Sequence, residues 1–484
     1  MSDPENVSLS GGLRRNSLIY FLGGAVSSGG NVLLAPIYVR YLDPGEYGVV
    51  SSVAILSAFM VAVLSFGFGG VVTRYYFEIR DQDEWKSLLG TVTTFMVATG
   101  LLAALLLCIF FRGAWATLFP AVEFDPYAQL GIWIGFVGAL PAIPLAVLQA
   151  KGNALTYRYL TTASFALVAC FMLVFVVGMR QGAFGVLVAQ LLAGSLMAVY
   201  YLGLVGRIAS LRLSVSHLKK ALGFGIPITA YAILGITLEM SSRYLVQYLA
   251  GLAELGIYSL ALIYASILSL VASAVNMAWV PIFYKQGLTS NGANLYRTFT
   301  LHYLVAMCAL GVMLTLFSEE TLTAFAPSTY QKAHQIVPIL VLANFLGPVS
   351  WTVTANPIFL AKKTGILPWL TGVSSAVAIL SSLWLIPKFG IAGASLALLF
   401  GNLTLVCTSF FVSQKLYPVA YEYKKIGLVL MLAIIICAIG YQVGSGTLES
   451  ALIKIGLCSL FLAFVLVSKI VSISTLLGVR TIGF

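Results

Sequence analysis

The chain has 484 residues, of which 60% are hydrophobic and only 9% charged, with a mean hydropathy of +0.99, a balance outside the range of soluble globular proteins. Its apolar residues recur in runs of about 20, the length that carries an α-helix across a bilayer core, so the composition predicts a polytopic membrane protein. The net charge of +11 admits nucleic acid, anionic headgroups or a polyanionic substrate as counter-charge, and the placement of the basic residues decides among them.

A polar N-terminal stretch ends in Arg14 and Arg15. The apolar run that follows, Ser17 to Tyr38, has no cleavage site and is too long for a signal-peptide core, so it is expected to be a retained first helix. Further apolar segments lie at about 46–73, 87–111, 127–150, 156–178, 183–206, 222–248, 255–283, 296–317, 333–360, 366–386, 391–414, 424–443 and 449–471. The prediction is an all-α membrane protein of about fourteen spans. An even number puts both termini on one side. With the N-terminus cytoplasmic, the inner flanks hold most of the 27 Lys and Arg, among them Arg14, Arg15, Arg74, Lys86, Lys151, Arg207, Lys219, Lys362, Lys363, Lys415 and Lys469, whereas Asp43, Glu46, Glu254, Glu319, Glu320 and Glu449 collect outside. The positive-inside rule then assigns both termini to the cytoplasm and accounts for the basic excess without nucleic acid.

The six cysteines lie singly within apolar runs, without metal or redox spacing, and read as packing residues. The connecting loops leave no room for a soluble catalytic domain, and no phosphate-binding G-x-x-x-x-G-K-[ST] loop occurs. No cofactor is expected, and the helices must perform the function.

Self-comparison at an offset of about 208 residues shows an internal repeat. Glu46-Tyr47-Gly48 matches Glu254-Leu255-Gly256, Ala150-Lys151 matches Ala361-Lys362, and Gly182 with Gly185 matches Gly390 with Gly393. Six helices per repeat make equivalent helices run in the same direction. Two parallel six-helix lobes, 1–206 and 222–414, are therefore expected. An amphipathic cytoplasmic linker at 207–221 would lie on anionic lipid, and two extra helices would span 424–471.

Pro141 and Pro144, Pro227, and Pro348 with Pro357 interrupt spans four, seven and ten, and Gly29-Gly30 interrupts the first. Pro141 and Pro348 hold equivalent places in the two halves, as hinge or cavity-lining helices would. An ionisable residue within a span costs about 2.5–3.5 kcal/mol on insertion scales, so each needs a partner or a task. Glu239 and Arg243 in span seven are spaced i, i+4 with the acid first, the favourable order for a pair. They lie roughly 18 and 12 Å below the outer end. Weaker candidates are Arg74, as a phosphate contact or an interfacial anchor, and His302, as a titrating or a packing histidine. Asn276 and Asn344 bond either sugar hydroxyls or other helices.

The stretches Tyr38 to Gly48, Arg74-Tyr75, Ser242-Arg243-Tyr-Leu and Gly256-Ile-Tyr258-Ser-Leu-Ala261 resemble the polysaccharide (Wzx-type O-antigen) flippases of the multidrug/oligosaccharidyl-lipid/polysaccharide exporter superfamily. The resemblance covers the first twelve helices. It implies two six-helix lobes in a V that open alternately to each face of a bacterial inner membrane, and a central cationic cavity for the sugar diphosphate head. It further implies a polyprenyl-diphosphate-linked oligosaccharide as substrate, coupling to a proton or sodium ion, and other polysaccharide-assembly proteins as candidate partners. The family often has Asp-Arg on helix seven where this chain has Ser242-Arg243, which leaves Glu239 to supply the acid. Lipid II flippases of the superfamily carry an arginine in helix one, where this chain has Gly29-Gly30-Asn31. On this reading Arg243 and Arg74 meet the diphosphate, Asn276 and Asn344 the sugar, and Glu239 and His302 serve ion coupling. The alternative within the superfamily is a multidrug or metabolite cation antiporter. A membrane-embedded sugar-transfer enzyme and an assembly scaffold are further rivals, the enzyme disfavoured by the lack of clustered catalytic groups.

Overall fold

The computed structural model describes residues 29–30, 32–210, 213–289, 291–444 and 447–468. The start of the predicted first span, Asn31, Arg212 of the linker, and the C-terminal Lys469 and Arg480 lie outside them. The described residues contain helices and no strand. This is the response of a chain in hydrocarbon, where no water is available and a helix satisfies its own backbone groups.

The elements in chain order begin with α1 (Val32–Tyr41), α2 (Pro44–Leu64), α3 (Phe68–Glu78), α4 (Gln82–Phe110), α5 (Arg112–Leu118), α6 (Gln129–Ala139), α7 (Ala142–Ala150), α8 (Ala154–Met172) and α9 (Gly182–Gly206). They continue with α10 (Val215–Ala250), α11 (Leu252–Ala265), α12 (Ile267–Gln286), α13 (Gly292–Leu316), α14 (Ser318–Phe325), α15 (Ala333–Val349), α16 (Ala355–Leu360), α17 (Leu367–Leu416), α18 (Tyr423–Gln442) and α19 (Leu448–Val467).

Among the described residues, 12 helical stretches are long and apolar enough to cross a membrane. One of them, Thr364–Leu416, has 53 residues, about 80 Å of helix against a core of about 30 Å. It is broken at Gly390, whose φ of 56° and ψ of −135° are not helical, and so supplies predicted spans eleven and twelve. With α1 as the end of the first span, the pattern agrees with the predicted set.

Several spans are composite. α2 and α3 are separated by Phe66 and Gly67, both with positive φ (47° and 64°). α6 and α7 part at Pro141, and a π-turn over Ser350–Thr354 follows Pro348 between α15 and α16. The two prolines matched in the repeat thus both sit at helix interruptions. The expected linker is only partly a separate element. Ser214 caps α10, so Val215–Lys220 already form its first turns. The preceding turn is held by Ser210 N–H donating to the Lys86 carbonyl and Ser214 N–H donating to Thr91 Oγ1, each at 3.1 Å.

The chain divides into two compact units, one comprising residues up to Leu260 with Ser375–Ala397, the other Ala261–Ser374 with Leu398 onward. In the first unit α10 packs against α2, α3 and α4. Asp43 and Glu46 form a capping box at the start of α2, with Pro44 in its first turn. The two glycines of the repeated Glu-x-Gly signature meet here reciprocally. A Cβ on Gly48 would lie 2.0 Å from the Leu252 carbonyl oxygen, and a Cβ on Gly256 would lie 2.0 Å from that of Pro44. The starts of α2 and α11 therefore cross at backbone contact, the close approach that small residues permit in membrane helices.

In the second unit α18 and α19 pack on α13. At one end Arg297 donates to Glu422 Oε1 from Nε (3.2 Å) and Nη2 (2.9 Å), and Lys425 pairs with the same carboxylate. Further along, Lys454 of α19, with its side chain almost fully buried, pairs with Glu320 of α14. The Lys425 ammonium, with help from Arg297 and against partial burial, holds the Glu422 carboxyl below the usual carboxylate range.

Gly48→Ala and Gly256→Ala are each expected to destabilise by about 1–3 kcal/mol or more, because backbone cannot yield as a side chain can. Thermal unfolding in detergent measures this, and wild-type stability in both variants would refute the crossing. Glu422→Gln is expected to unfold earlier than wild type at neutral pH. The tie is complete above about pH 4.3, the ordinary glutamate value, and is lost as pH falls through the lower folded-state value, so the difference should close in acid. A difference independent of pH would show that charge is not what joins α18 to α13.

Candidate functional site

α10 runs unbroken by any non-helical residue through Pro227 to a C-cap at Gly251 (φ 93°). Over about 54 Å it exceeds the bilayer core, long and apolar enough to cross it. One stripe of this helix, with Met240, Tyr244 and Thr237, lines an apolar cavity of about 430 Å³ together with Ile55, Leu56 and Phe59 of α2. A second stripe, about 100° round the helix, carries Glu239, Arg243 and Gln247.

The expected Glu239–Arg243 pair is not formed. Glu239 is exposed, whereas Arg243 is half-buried with its Nε shielded from solvent and without a hydrogen-bond partner among the described residues. The i, i+4 spacing permits contact, but the fold leaves Glu239 exposed and Arg243 half-buried. On the same helix both amide atoms of Gln247, one turn on, are buried without a partner, and Ser242 lies within reach of the Tyr258 hydroxyl of α11. Arg243 acts electrostatically on the Tyr258 hydroxyl, with Ser242 also beside it. Buried polar atoms are ordinarily hydrogen-bonded, and each orphan costs about 1–3 kcal/mol. Arg243 and Gln247, one turn apart on α10, therefore keep buried polar atoms that call for partners. A guanidinium among hydroxyls and an amide suits an oxyanion bearing hydroxylated substituents.

The other sequence candidates are already engaged. Arg74, at the end of α3, donates from Nε to Glu78 at 2.8 Å and stacks on Phe224 with its guanidinium carbon 4.6 Å from the ring centre. In the second unit, Asn276 accepts from Asn356 Nδ2 at 3.0 Å, and Asn344 accepts from Ser269 Oγ at 3.1 Å while donating to the Leu340 carbonyl at 2.9 Å. Asn402 Nδ2 donates to the Ala343 carbonyl at 3.0 Å. The π-turn loosens the backbone at Thr352 and Val353, and their carbonyls accept from Tyr296 Oη at 3.0 and 2.8 Å. These amides and hydroxyls tie α12, α13, α15, α16 and α17 together. His302 Nδ1 lies 2.7 Å from the Thr298 carbonyl, one turn back.

Sequence reasoning did not single out Gln247, Ser259 or Asn356. Gln247 stands one turn beyond Arg243, the spacing that drew attention to Glu239 on the other side. Tyr258 and Ser259 belong to a stretch noted only for its resemblance.

Comparison with known proteins places this geometry. The sequence pattern of the family described as polysaccharide biosynthesis protein matches residues 37–335. The chain belongs to that family. No curated relative matches. Among solved structures, the lipid II flippase MurJ in its inward closed conformation aligns with a TM-score of 0.72 at 14% identity, over 93% of this chain and 98% of that one. The multidrug transporter DinF-BH aligns at 0.60 and 17% identity, over 86% and 96%. The Vibrio cholerae transporter VcmN, in its bent form, aligns at 0.53 and 19%, over 86% and 98%. At these identities the likeness establishes the fold alone, which this chain shares with MurJ and these transporters. This polysaccharide biosynthesis protein is thus a multi-pass membrane protein of that fold.

Asn276→Ala and Asn356→Ala, combined in a double-mutant cycle on unfolding, are expected to show a coupling of about 0.6–1.7 kcal/mol, the range for hydrogen bonds between membrane helices. Additive effects would remove Asn276 from the helix-tying network.

Proposed function

We propose that this protein flips a polyprenyl-diphosphate-linked oligosaccharide from the inner to the outer leaflet of a bacterial cytoplasmic membrane, its two repeated six-helix lobes giving alternating access and both termini lying in the cytoplasm. The observation that carries the reading is the half-buried Arg243 guanidinium, its Nε shielded from solvent and without a partner among the described residues, beside the Tyr258 hydroxyl and one turn from the unpartnered amide of Gln247. A diphosphate would neutralise the cation and the sugar would meet the hydroxyls. The family's description as polysaccharide biosynthesis protein agrees with this chemistry, and the structurally similar MurJ is a lipid II flippase.

In this reading Arg74 exchanges Glu78 for phosphate on the inner side, and Asn276 and Asn344 shape the second lobe. Glu239 takes up the coupling proton or sodium ion, with His302 as a second titrating group. An apolar cavity of about 210 Å³ among α13, α15 and α18, lined by Met307, Val341, Leu430 and Ala433, has the chemistry a polyprenyl chain requires. The second reading, a cation antiporter, rests on the exposed carboxylate of Glu239 within a span.

The test is the sidedness of lipid-linked oligosaccharide in depleted cells, read with an impermeant sugar-modifying probe. Inner-leaflet accumulation rescued by wild type and not by Arg243→Ala is expected. Unchanged outward delivery, with no redundant flippase present, would refute flipping. Glu239→Gln is expected to remove the pH or sodium dependence of delivery, and its persistence would refute coupling through this residue.

A further inference from the structure

The turn that closes α7 recurs at the end of α16. In the first case Gly152 adopts left-handed backbone (φ 70°), and the amides of Gly152 and Asn153 donate to the Gln149 and Leu148 carbonyls at 3.0 and 2.9 Å. In the second, Lys362 adopts the same conformation (φ 58°), and the amides of Lys362 and Lys363 donate to the Phe359 and Ile358 carbonyls at 3.0 and 3.2 Å. These hydrogen bonds align Gly152 with Lys362, one residue away from the Ala-Lys register read in the sequence. Both are helix ends of the type that favours glycine. The second repeat thus holds a lysine in strained backbone where the first keeps the residue that fits.

The strained lysine does not stand alone. Lys362, Lys363 and Lys415, all exposed, line one open crevice of about 520 Å³ whose apolar wall includes Ile366, Val412 and Leu416. None of the three forms an ion pair with a described residue, and Glu422 nearby in sequence is already taken by Arg297 and Lys425. The crevice lies where two apolar spans, Ala333–Leu360 and Thr364–Leu416, meet. Trp369 and Phe411, 77% and 68% exposed, lie close to it in sequence, as aromatic residues do at the headgroup level. An orientation signal requires basic charge in a loop. It does not require a left-handed lysine or an apolar wall beside three lysines that line one crevice.

We propose that this crevice binds the phosphodiester headgroup of an anionic phospholipid. The three ammonium groups surround the phosphate, and the apolar wall receives the glycerol and the first methylenes of the acyl chains. The site is independent of the flipping reaction.

Full-length protein is incubated with phosphatidylglycerol or phosphatidylcholine and the bound lipid counted by native mass spectrometry. Wild type is expected to retain phosphatidylglycerol preferentially. Lys362→Gly, which relieves the backbone while removing the charge, should lower that retention several-fold without loss of thermal stability. K362G/K363Q/K415Q should abolish the preference, and Lys151→Gln in the equivalent turn of the first repeat should leave it intact. Wild-type retention in the triple variant overturns the proposal. So does a triple variant that keeps phosphatidylglycerol but loses added polyprenyl diphosphate, which would assign the lysines to the lipid-diphosphate instead.

Discussion

Inside a bilayer, a backbone amide or carbonyl that leaves its helix has no water to turn to, and each interruption must be re-satisfied by protein. The spans of this protein are nonetheless broken at Phe66-Gly67, at Pro141, over Ser350–Thr354 and at Gly390. Where the accounting is visible, side chains close it. Tyr296 and Asn356 donate to carbonyls within the π-turn, and Asn402 reaches the Ala343 carbonyl on α15. Much of the polar inventory of the second unit is therefore committed to permitting bends.

Both units also keep buried polar atoms without a hydrogen-bond partner, among them Trp279 Nε1 and Glu320 Oε2 in the second. Ser242, Arg243, Gln247, Tyr258 and Ser259 carry buried atoms that no described residue satisfies. Membrane insertion makes such groups expensive. The reciprocal contact of Gly48 and Gly256 with the Leu252 and Pro44 carbonyls fixes the start of α11, and so sets where Tyr258 and Ser259 stand.

The repeat supplies a common plan and the two copies have been adapted separately. Equivalent helix ends carry Gly152 in one copy and the left-handed Lys362 in the other. The additional helices α18 and α19 are tied to the second unit by carboxylates at two levels, Glu422 and Glu320.

Helix positions, the repeat and the break near Gly390 were legible in the linear order, because hydrocarbon enforces one secondary structure and a fixed span length, and because glycine and proline mark its interruptions. Arg243 was legible too, as a charge within an apolar run. Its surroundings were not. Period and spacing place Glu239 and Arg243 one turn apart, but whether they pair depends on the tertiary surroundings of α10, where Arg243 lies near Tyr258 instead. Likewise Asn276 and Asn344 were recognisable as costly polar residues, while only the position of Asn356 and Ser269 on neighbouring helices made them ties. A sequence specifies which groups must be satisfied in the membrane; which partners are within reach is set by the crossing of helices far apart in the chain.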